Sequence, residues 1–167
     1  MKIIPHHLQI KPYIFDLTNA LNLDQIKRSI LDFKINNPKS NTSNVYAWHT
    51  DYFLHKSTTL FDNLNFVIKS QVKTLDGTNG YDPQLVNSWA IVYEVMNSTI
   101  NHNHSPSTYS TILYVDVDED SSPTIFDNNL IINPVKGQLI VFPGMMNHYV
   151  PVCTSDKQRI VYCCNFF

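Results

Sequence analysis

The 167-residue sequence predicts an α+β fold in which two N-terminal helices back a β-sandwich. Two segments in the first half of the chain repeat apolar residues at helical spacing. A turn-rich segment, residues 75–83, then interrupts the helical pattern. Beyond it, short apolar runs follow one another with turn residues between them, a pattern that favours a sandwich or barrel.

The first predicted helix lies in NLDQIKRSILDFKIN, where Asn22 can cap the amino end. The second lies in STTLFDNLNFVIKSQVKTL, after a Ser/Thr start. Each segment forms one apolar stripe, so both helices are predicted to pack on a sheet. The stripe residues are Leu23, Ile26, Ile30 and Phe33 in the first helix, and Leu60, Leu64, Val67, Ile68 and Leu75 in the second.

The predicted strands occupy the second half of the chain. They lie in SWAIVYEVM, TILYVDV, PTIFD, NLIIN, GQLIVF and RIVYCCNFF. The length and the hydrophobic content of 43% suit one domain with its own core. We therefore expect a single domain over residues 1–167, with helical support in 1–80 and the β core in 81–167.

Composition excludes several classes of protein. The formal net charge of −2 gives no electrostatic reason to bind nucleic acid or an anionic membrane. The sequence has no run of about eighteen apolar residues, and its N-terminus does not resemble a signal peptide. Three cysteines, two of them adjacent, do not form a disulfide framework. These features predict a soluble protein of the reducing cytoplasm.

A pair of histidines precedes one predicted strand, in NHNHSPSTYSTILYVDV. Residues i and i+2 of a strand face the same side, so His102 and His104 can reach one metal ion. The candidate third ligand is His148, which follows a predicted strand and a Pro-Gly turn. Three nitrogen ligands leave positions open on an iron-like ion, an arrangement suited to oxygen chemistry. The alternative is a solvent-facing pair in a polar loop.

Arg159 opens the last predicted strand, in DKQRIVYCCNF. If its side chain points inward it needs an anion, because a buried and unpaired guanidinium is costly. A co-substrate that carries a carboxylate would supply the anion through a bidentate pair. A surface arginine is the alternative.

The order of these parts resembles the Fe(II)- and 2-oxoglutarate-dependent oxygenases, in particular small, prolyl-hydroxylase-like members found in phages and bacteria. The parts are a Trp-bearing strand, HxH, a strand ending in Tyr, a G-x-L-x-x-F-P turn leading to His, and then Arg with Asn six residues later. The resemblance covers residues 44–167. It implies a jelly-roll fold, also called a double-stranded β-helix. If the protein is phage-encoded, as some of these members are, it would act in the host cytoplasm.

Carried over by position, the resemblance implies that His102, His104 and His148 bind Fe(II). Arg159 would hold the distal carboxylate of 2-oxoglutarate. The implied reaction uses O2 to hydroxylate a substrate, such as a peptidyl or prolyl side chain, and converts 2-oxoglutarate to succinate. The primary substrate, a peptide or a small molecule, and the oligomeric state are not predicted.

Further residues are implied to lie around the co-substrate. Tyr114 would hydrogen-bond 2-oxoglutarate, and Ser110 lies on the same side of the same strand. Asn165 shares the parity of Arg159 and is expected to line the cavity and contact the co-substrate. Trp89 and Tyr93 would form a wall of the pocket.

Two departures from the family pattern concern charge and polarity. His104 stands where most of the superfamily has an acid, so the site is one charge more positive. Asp116, Asp118 or an anionic co-substrate would have to compensate. The commoner Arg-x-Ser is replaced by Arg-Ile-Val, and Val161 therefore makes that end of the pocket less polar.

A second HxD-like triplet, His49-Thr50-Asp51, precedes His102 by about fifty residues. No Lys or Arg follows His102 at the distance that the co-substrate requires, so we expect His49 and Asp51 at the pocket rim or on the surface. Segment 115–129 is predicted to be an acidic loop near the site.

Two other classes stay open. One is a cupin with three histidines on its metal that acts without 2-oxoglutarate. Against it, the chain lacks a Glu shortly after HxH, and a cupin has no special need for Arg159. The other is a non-catalytic jelly-roll module with an incidental histidine cluster.

Overall fold

The computed structural model describes residues 11–40, 44–75 and 82–167, which form two antiparallel sheets and two α-helices. The helices are α1 (Leu23–Asn36) and α2 (Thr59–Val72), with 3-10 turns at Leu54–Lys56 and Asp127–Asn129. The strands are β1 (Tyr13–Asp16), β2 (Val45–Tyr46), β3 (Trp48–His49), β4 (Leu85–Tyr93), β5 (Ser98–His102), β6 (Tyr109–Asp116), β7 (Thr124–Phe126), β8 (Leu130–Ile132), β9 (Gln138–Pro143), β10 (His148–Val150) and β11 (Arg159–Phe166).

The six-stranded sheet has the order β1-β9-β6-β11-β4-β3, and the five-stranded sheet has the order β2-β5-β10-β7-β8. This architecture confirms the predicted α+β class. The segment predicted to be helical support also supplies β1, β2 and β3, which pair with β9, β5 and β4 respectively. These strands have only two to four residues, too few to show an alternating pattern.

Both predicted helices pack on the outer face of the six-stranded sheet. The Asn22 side chain accepts a hydrogen bond from the Gln25 amide (3.0 Å) and so caps α1 as predicted. In α2, Phe61 and Val72 are buried, whereas the predicted stripe residues Leu60 and Val67 are only partly buried. The resulting core cluster joins both helices to β4, β6, β9 and β11.

The central strand β11 is buried along its whole length. It lies between β4 and β6, so both of its edges are paired. Its residues alternate between the helix-packed face and the face that meets the five-stranded sheet. Ile160, Tyr162, Cys164 and Phe166 belong to the helix-side cluster, and Val161 and Cys163 belong to a second cluster between the two sheets.

The three cysteines, Cys153, Cys163 and Cys164, are buried and free, in agreement with the absence of a predicted disulfide framework. Among the described residues, neither α-helix has the length and hydropathy needed to span a membrane.

Candidate metal centre

Three histidines meet where the five-stranded sheet faces the cavity. His102 ends β5 and His148 begins β10, and these two residues are direct partners in the antiparallel pairing. The His104 amide donates to the Gly144 carbonyl (2.7 Å), which fixes the loop that follows β5. Ligand atoms of the three side chains all lie within 4.8 Å of one another. The predicted histidines are therefore close enough to bind a single metal ion.

Backbone carbonyls orient two of the three rings. His102 Nδ1–H donates to the Ile100 carbonyl oxygen (2.9 Å), and His148 Nδ1–H donates to that of Met146 (3.3 Å). With the proton on Nδ1, Nε2 keeps a free lone pair for a metal, and a hydrogen bond from Nδ1–H to a backbone carbonyl commonly orients ligating histidines in this way.

Burial also keeps the rings neutral. It lowers the pKa of His148 well below its usual range. It lowers the pKa of His104 to about 3, with a smaller contribution from neighbouring His102. The neutral imidazole is the form that binds metal, so near neutral pH no proton has to leave these rings first.

Neither candidate acid compensates the missing carboxylate ligand. Asp116 forms an ion pair with Lys27 of α1 (2.6 Å). Asp118 accepts hydrogen bonds from Ser121 (2.6 Å) and Ser155 (3.0 Å). Among the described residues, the metal-binding group contains imidazoles only. Of the compensating groups named from the sequence, an anionic co-substrate is the one left.

Arg159 is buried in the wall of the same cavity, with 2% of its surface exposed. Its Nη2 donates to Thr124 Oγ1 (3.0 Å), and its guanidinium lies 4.7 Å from the ring centre of Tyr93 and 5.2 Å from that of Tyr114. Nε and Nη1 have no hydrogen-bond partner among the residues that the structure describes. No carboxylate in the described part of the chain forms an ion pair with it. Such a guanidinium needs an anion.

Two tyrosine–threonine pairs flank the guanidinium. Tyr114 and Thr124 have hydroxyl oxygens 2.7 Å apart, as do Tyr93 and Thr99. A guanidinium can only donate, so Thr124 Oγ1 accepts from Arg159. Each pair uses one of its two hydroxyl hydrogens internally and keeps the other for a further acceptor. The surroundings of Arg159 thus present donors, as an anion requires.

Thr124 contacts Arg159 and was missed by the sequence reasoning. It opens β7 inside segment 115–129, which was predicted to be an acidic loop. Its side chain is fully buried. The run PTIFD predicted a strand, but nothing in the sequence indicated that its first hydroxyl would meet Arg159.

The cavity between the sheets has a volume of about 360 Å³ and contains the three histidines and Arg159. His49 also lines it and is only 2% exposed, so the expected rim or surface position is wrong for this residue. The alternation of β3 turns Trp48 toward the helices and His49 toward the cavity. Asp51 is exposed, as expected.

Ser110 and Asn165 lie away from Arg159. The Ser110 hydroxyl donates to Asn165 Oδ1 (2.7 Å), and both residues are buried outside the set that lines the cavity. Six residues of extended strand, about 20 Å, separate Asn165 from Arg159. Tyr114 is also outside the cavity lining but contacts Arg159 directly.

No protein-family model and no curated protein matches the sequence. Several solved structures do match. The viral collagen prolyl hydroxylase of Paramecium bursaria Chlorella virus-1, solved with 2-oxoglutarate, superposes with a TM-score of 0.70 at 13% identity over 93% of this chain and 94% of that one. A Trichoplax adhaerens prolyl hydroxylase, in complex with a hypoxia inducible factor peptide, has a TM-score of 0.70 at 13% identity over 95% and 84%.

The α-ketoglutarate-dependent carbocyclase SnoK of nogalamycin biosynthesis superposes with a TM-score of 0.74 at 10% identity, over 95% of this chain and 79% of that one. Likeness at such low identity shows the fold. The predicted resemblance to 2-oxoglutarate-dependent oxygenases is therefore confirmed for the fold, across nearly the whole chain.

Proposed function

We propose that this protein is an Fe(II)- and 2-oxoglutarate-dependent oxygenase, that its two sheets form the double-stranded β-helix of these enzymes, and that it acts as a hydroxylase. The observation that carries the proposal is the buried guanidinium of Arg159. No carboxylate among the described residues pairs with it, and it shares one cavity with three neutral imidazoles. A metal and a carboxylate bound together would satisfy both halves of the site.

The residues fit both groups. His102, His104 and His148 would hold the iron, since imidazole suits Fe(II). When bound, iron and 2-oxoglutarate would supply activation of O2, coupled to oxidation of the primary substrate and to decarboxylation of 2-oxoglutarate, with release of succinate and CO2. Arg159 would hold the distal carboxylate in a bidentate pair. The dianion also supplies the negative charge that the three-histidine centre lacks.

The hydroxyls around Arg159 support the same assignment. Thr124 supplies from β7 the hydroxyl that Arg-x-Ser enzymes carry two residues after the arginine, where this chain has Val161. Tyr114 is hydrogen-bonded to Thr124 and is the second candidate donor to the co-substrate. We assign Ser110 and Asn165 to holding β6 and β11 together, because they bond each other.

The alternative classes leave Arg159 unexplained. A cupin without 2-oxoglutarate has no anion for this side chain. In a non-catalytic module, no ligand would offset the free-energy penalty of the unpaired buried charge. Prolyl hydroxylases among the structural neighbours favour a peptidyl, in particular a prolyl, substrate for this chain. A small-molecule substrate is the second candidate, because neighbours from nogalamycin biosynthesis share the fold.

The proposal is tested by adding Fe(II) and then 2-oxoglutarate to the purified protein without oxygen. We expect a visible charge-transfer band that requires both additions, because only a keto acid chelated to Fe(II) produces it. Zn(II) in place of Fe(II) should give no band and serves as the control. A protein that binds Fe(II) but gives no band at saturating 2-oxoglutarate would contradict the proposal.

A further inference from the structure

Three aromatic side chains form one wall of the cavity. His49 stacks on Trp89 with ring centres 6.1 Å apart and planes 15° apart. Tyr52 meets both rings edge-on, at 5.2 Å from His49 and 5.5 Å from Trp89. We call His49, Tyr52 and Trp89 the aromatic trio. All three line the cavity, and Tyr52, 39% exposed, lies at its solvent side.

The aromatic trio adjoins the metal-binding histidines. The Trp89 ring centre lies 5.4 Å from that of His104. Arg159 lies four residues along the sheet from this wall, since it pairs with Tyr93 in β4 whereas Trp89 pairs with Cys163. A group held against Trp89 would therefore lie beside the metal, while the co-substrate carboxylate occupies the Arg159 end.

The cavity wall carries very little charge. Arg159 is the one Lys, Arg, Asp or Glu among the described residues that line it. Burial lowers the pKa of His49, which keeps that ring neutral. Ile91 and Ile112 extend the apolar surface below the trio. With Arg159 occupied by the co-substrate, a substrate ammonium or carboxylate in this space would lose its hydration without gaining a charged side chain as a partner.

We propose that the aromatic trio binds a neutral, apolar group of the primary substrate and excludes ammonium and carboxylate groups. This inference rests on the proposed function, because it concerns the same cavity. Aromatic faces attract apolar rings and alkyl groups. They also attract cations, but an ammonium would have to give up its hydration in a cavity whose described lining contains no Asp or Glu.

Tryptophan fluorescence can report on this subsite directly. The chain has two tryptophans, and Trp48→Phe leaves Trp89 as the single emitter. The probes are amino acids with acetyl and amide blocks: proline and leucine as neutral probes, lysine and glutamate as charged ones. In the anaerobic Fe(II) and 2-oxoglutarate complex, we expect saturable changes of emission with the neutral probes, at concentrations at least tenfold below any response to the charged ones.

Two variants locate the response. Tyr52→Ala should weaken binding of the neutral probes at least tenfold, and Tyr52→Phe should restore it because the ring does the binding. Tyr46→Ala is the matched control, since Tyr46 is an exposed aromatic residue outside the cavity lining. If Trp48→Phe does not fold, the same probes are compared in the wild-type chain by their stimulation of succinate release.

An equal or stronger response to lysine or glutamate, or no response to either neutral probe, would overturn the assignment of the aromatic trio. The charge-transfer band separates this failure from that of the proposed function. A band without selective binding of neutral probes removes the subsite alone, whereas absence of the band removes the enzyme.

Discussion

The two faces of the six-stranded sheet differ in what their side chains do, although the same strands supply both. On the outer face, Tyr162 of β11 stacks on Phe61 of α2 (5.5 Å, 4° between planes) and donates to Asn65 Oδ1 (2.9 Å). On the inner face, Arg159 of the same strand leaves two nitrogens without partners. Both faces contain buried polar atoms without a partner among the described residues, but only on the inner face does β11 carry a charged side chain, the guanidinium of Arg159.

This difference separates stability from function along one strand. Successive residues of β11 point to opposite faces, so neighbouring positions can serve opposite purposes. The outer residues stabilise the fold through burial against α1 and α2. On the inner side, Arg159 carries a charge that no carboxylate among the described residues pairs with. Substitutions on the outer face should therefore reduce stability and spare the site. Substitutions on the inner face should impair ligand binding without reducing stability.

The largest expected effect is on the inner side. His148→Ala removes the proposed metal ligand that β10 contributes opposite His102 of β5, and it leaves His102 and His104 without their third partner. We expect loss of stoichiometric Fe(II) binding and turnover reduced by about 10³-fold or more, on the scale of removing a catalytic group. Metal analysis and succinate release measure the two losses. Retention of Fe(II) and turnover by a folded His148→Ala protein would contradict the assignment of His148 as a ligand.

On the outer side, Phe61→Ala should produce the opposite outcome. Phe61 is 1% exposed, and truncation of such a ring costs about 3–5 kcal/mol of the free energy of unfolding. Denaturant titration measures this loss. The affinity of the folded fraction for 2-oxoglutarate, read from the charge-transfer band, should stay at the wild-type value. A large change in that affinity would show that the two faces are coupled.

Arg159→Met sharpens the comparison, because it should raise stability while removing function. Without ligands, the unpaired guanidinium costs free energy that an apolar side chain of similar length would not, so we expect a gain of about 1–3 kcal/mol in the free energy of unfolding. The charge-transfer band should disappear at 2-oxoglutarate concentrations that saturate the wild type. Arg159→Lys should weaken 2-oxoglutarate binding less than Met does, since a point charge replaces a planar fork.

A lower stability of Arg159→Met in denaturant titration would contradict this account. It would mean that the contacts of Arg159 with Thr124, Tyr93 and Tyr114 outweigh the missing anion. Unchanged 2-oxoglutarate affinity in Arg159→Lys would remove the proposed role of Arg159.

Local patterns in the sequence were sufficient for the elements that carry their own periodicity. The helical stripes that begin at Leu23 and Leu60 predicted α1 and α2 because burial on one face repeats every three or four residues. The HxH spacing predicted that the side chains of His102 and His104 lie on the same side of the chain. His148 and Arg159 were candidates because of their positions beside predicted strands, and the family resemblance implied their roles; the structure brings both to the cavity.

Features that depend on distant partners could not be read from the sequence. Strands β1, β2 and β3 exist because other strands offer them free edges, and that information lies elsewhere in the chain. Thr124 meets Arg159 only after β7 joins β10. His49 looked like part of a competing metal motif, and its burial depends on the pairing of β3 with β4.

The smallest predicted effect concerns Thr124, which we infer to position Arg159. Thr124→Val keeps the volume and removes one hydroxyl that contacts both Arg159 and Tyr114. We expect about 0.5–1.5 kcal/mol of lost 2-oxoglutarate binding, the typical net contribution of one hydrogen bond. The loss should raise KM for 2-oxoglutarate and leave kcat near the wild-type value. Thr124→Ser should restore the affinity.

Thr111→Val is the matched control for this prediction, because Thr111 is an equally buried threonine on the outer face of β6. The same loss of a hydroxyl there should leave the affinity for 2-oxoglutarate unchanged, as measured by titration of the charge-transfer band. If Thr124→Val and Thr111→Val behave alike, the hydroxyl of Thr124 does not orient the guanidinium. The donors that Arg159 offers to the carboxylate would then be held in place by the rings of Tyr93 and Tyr114 alone.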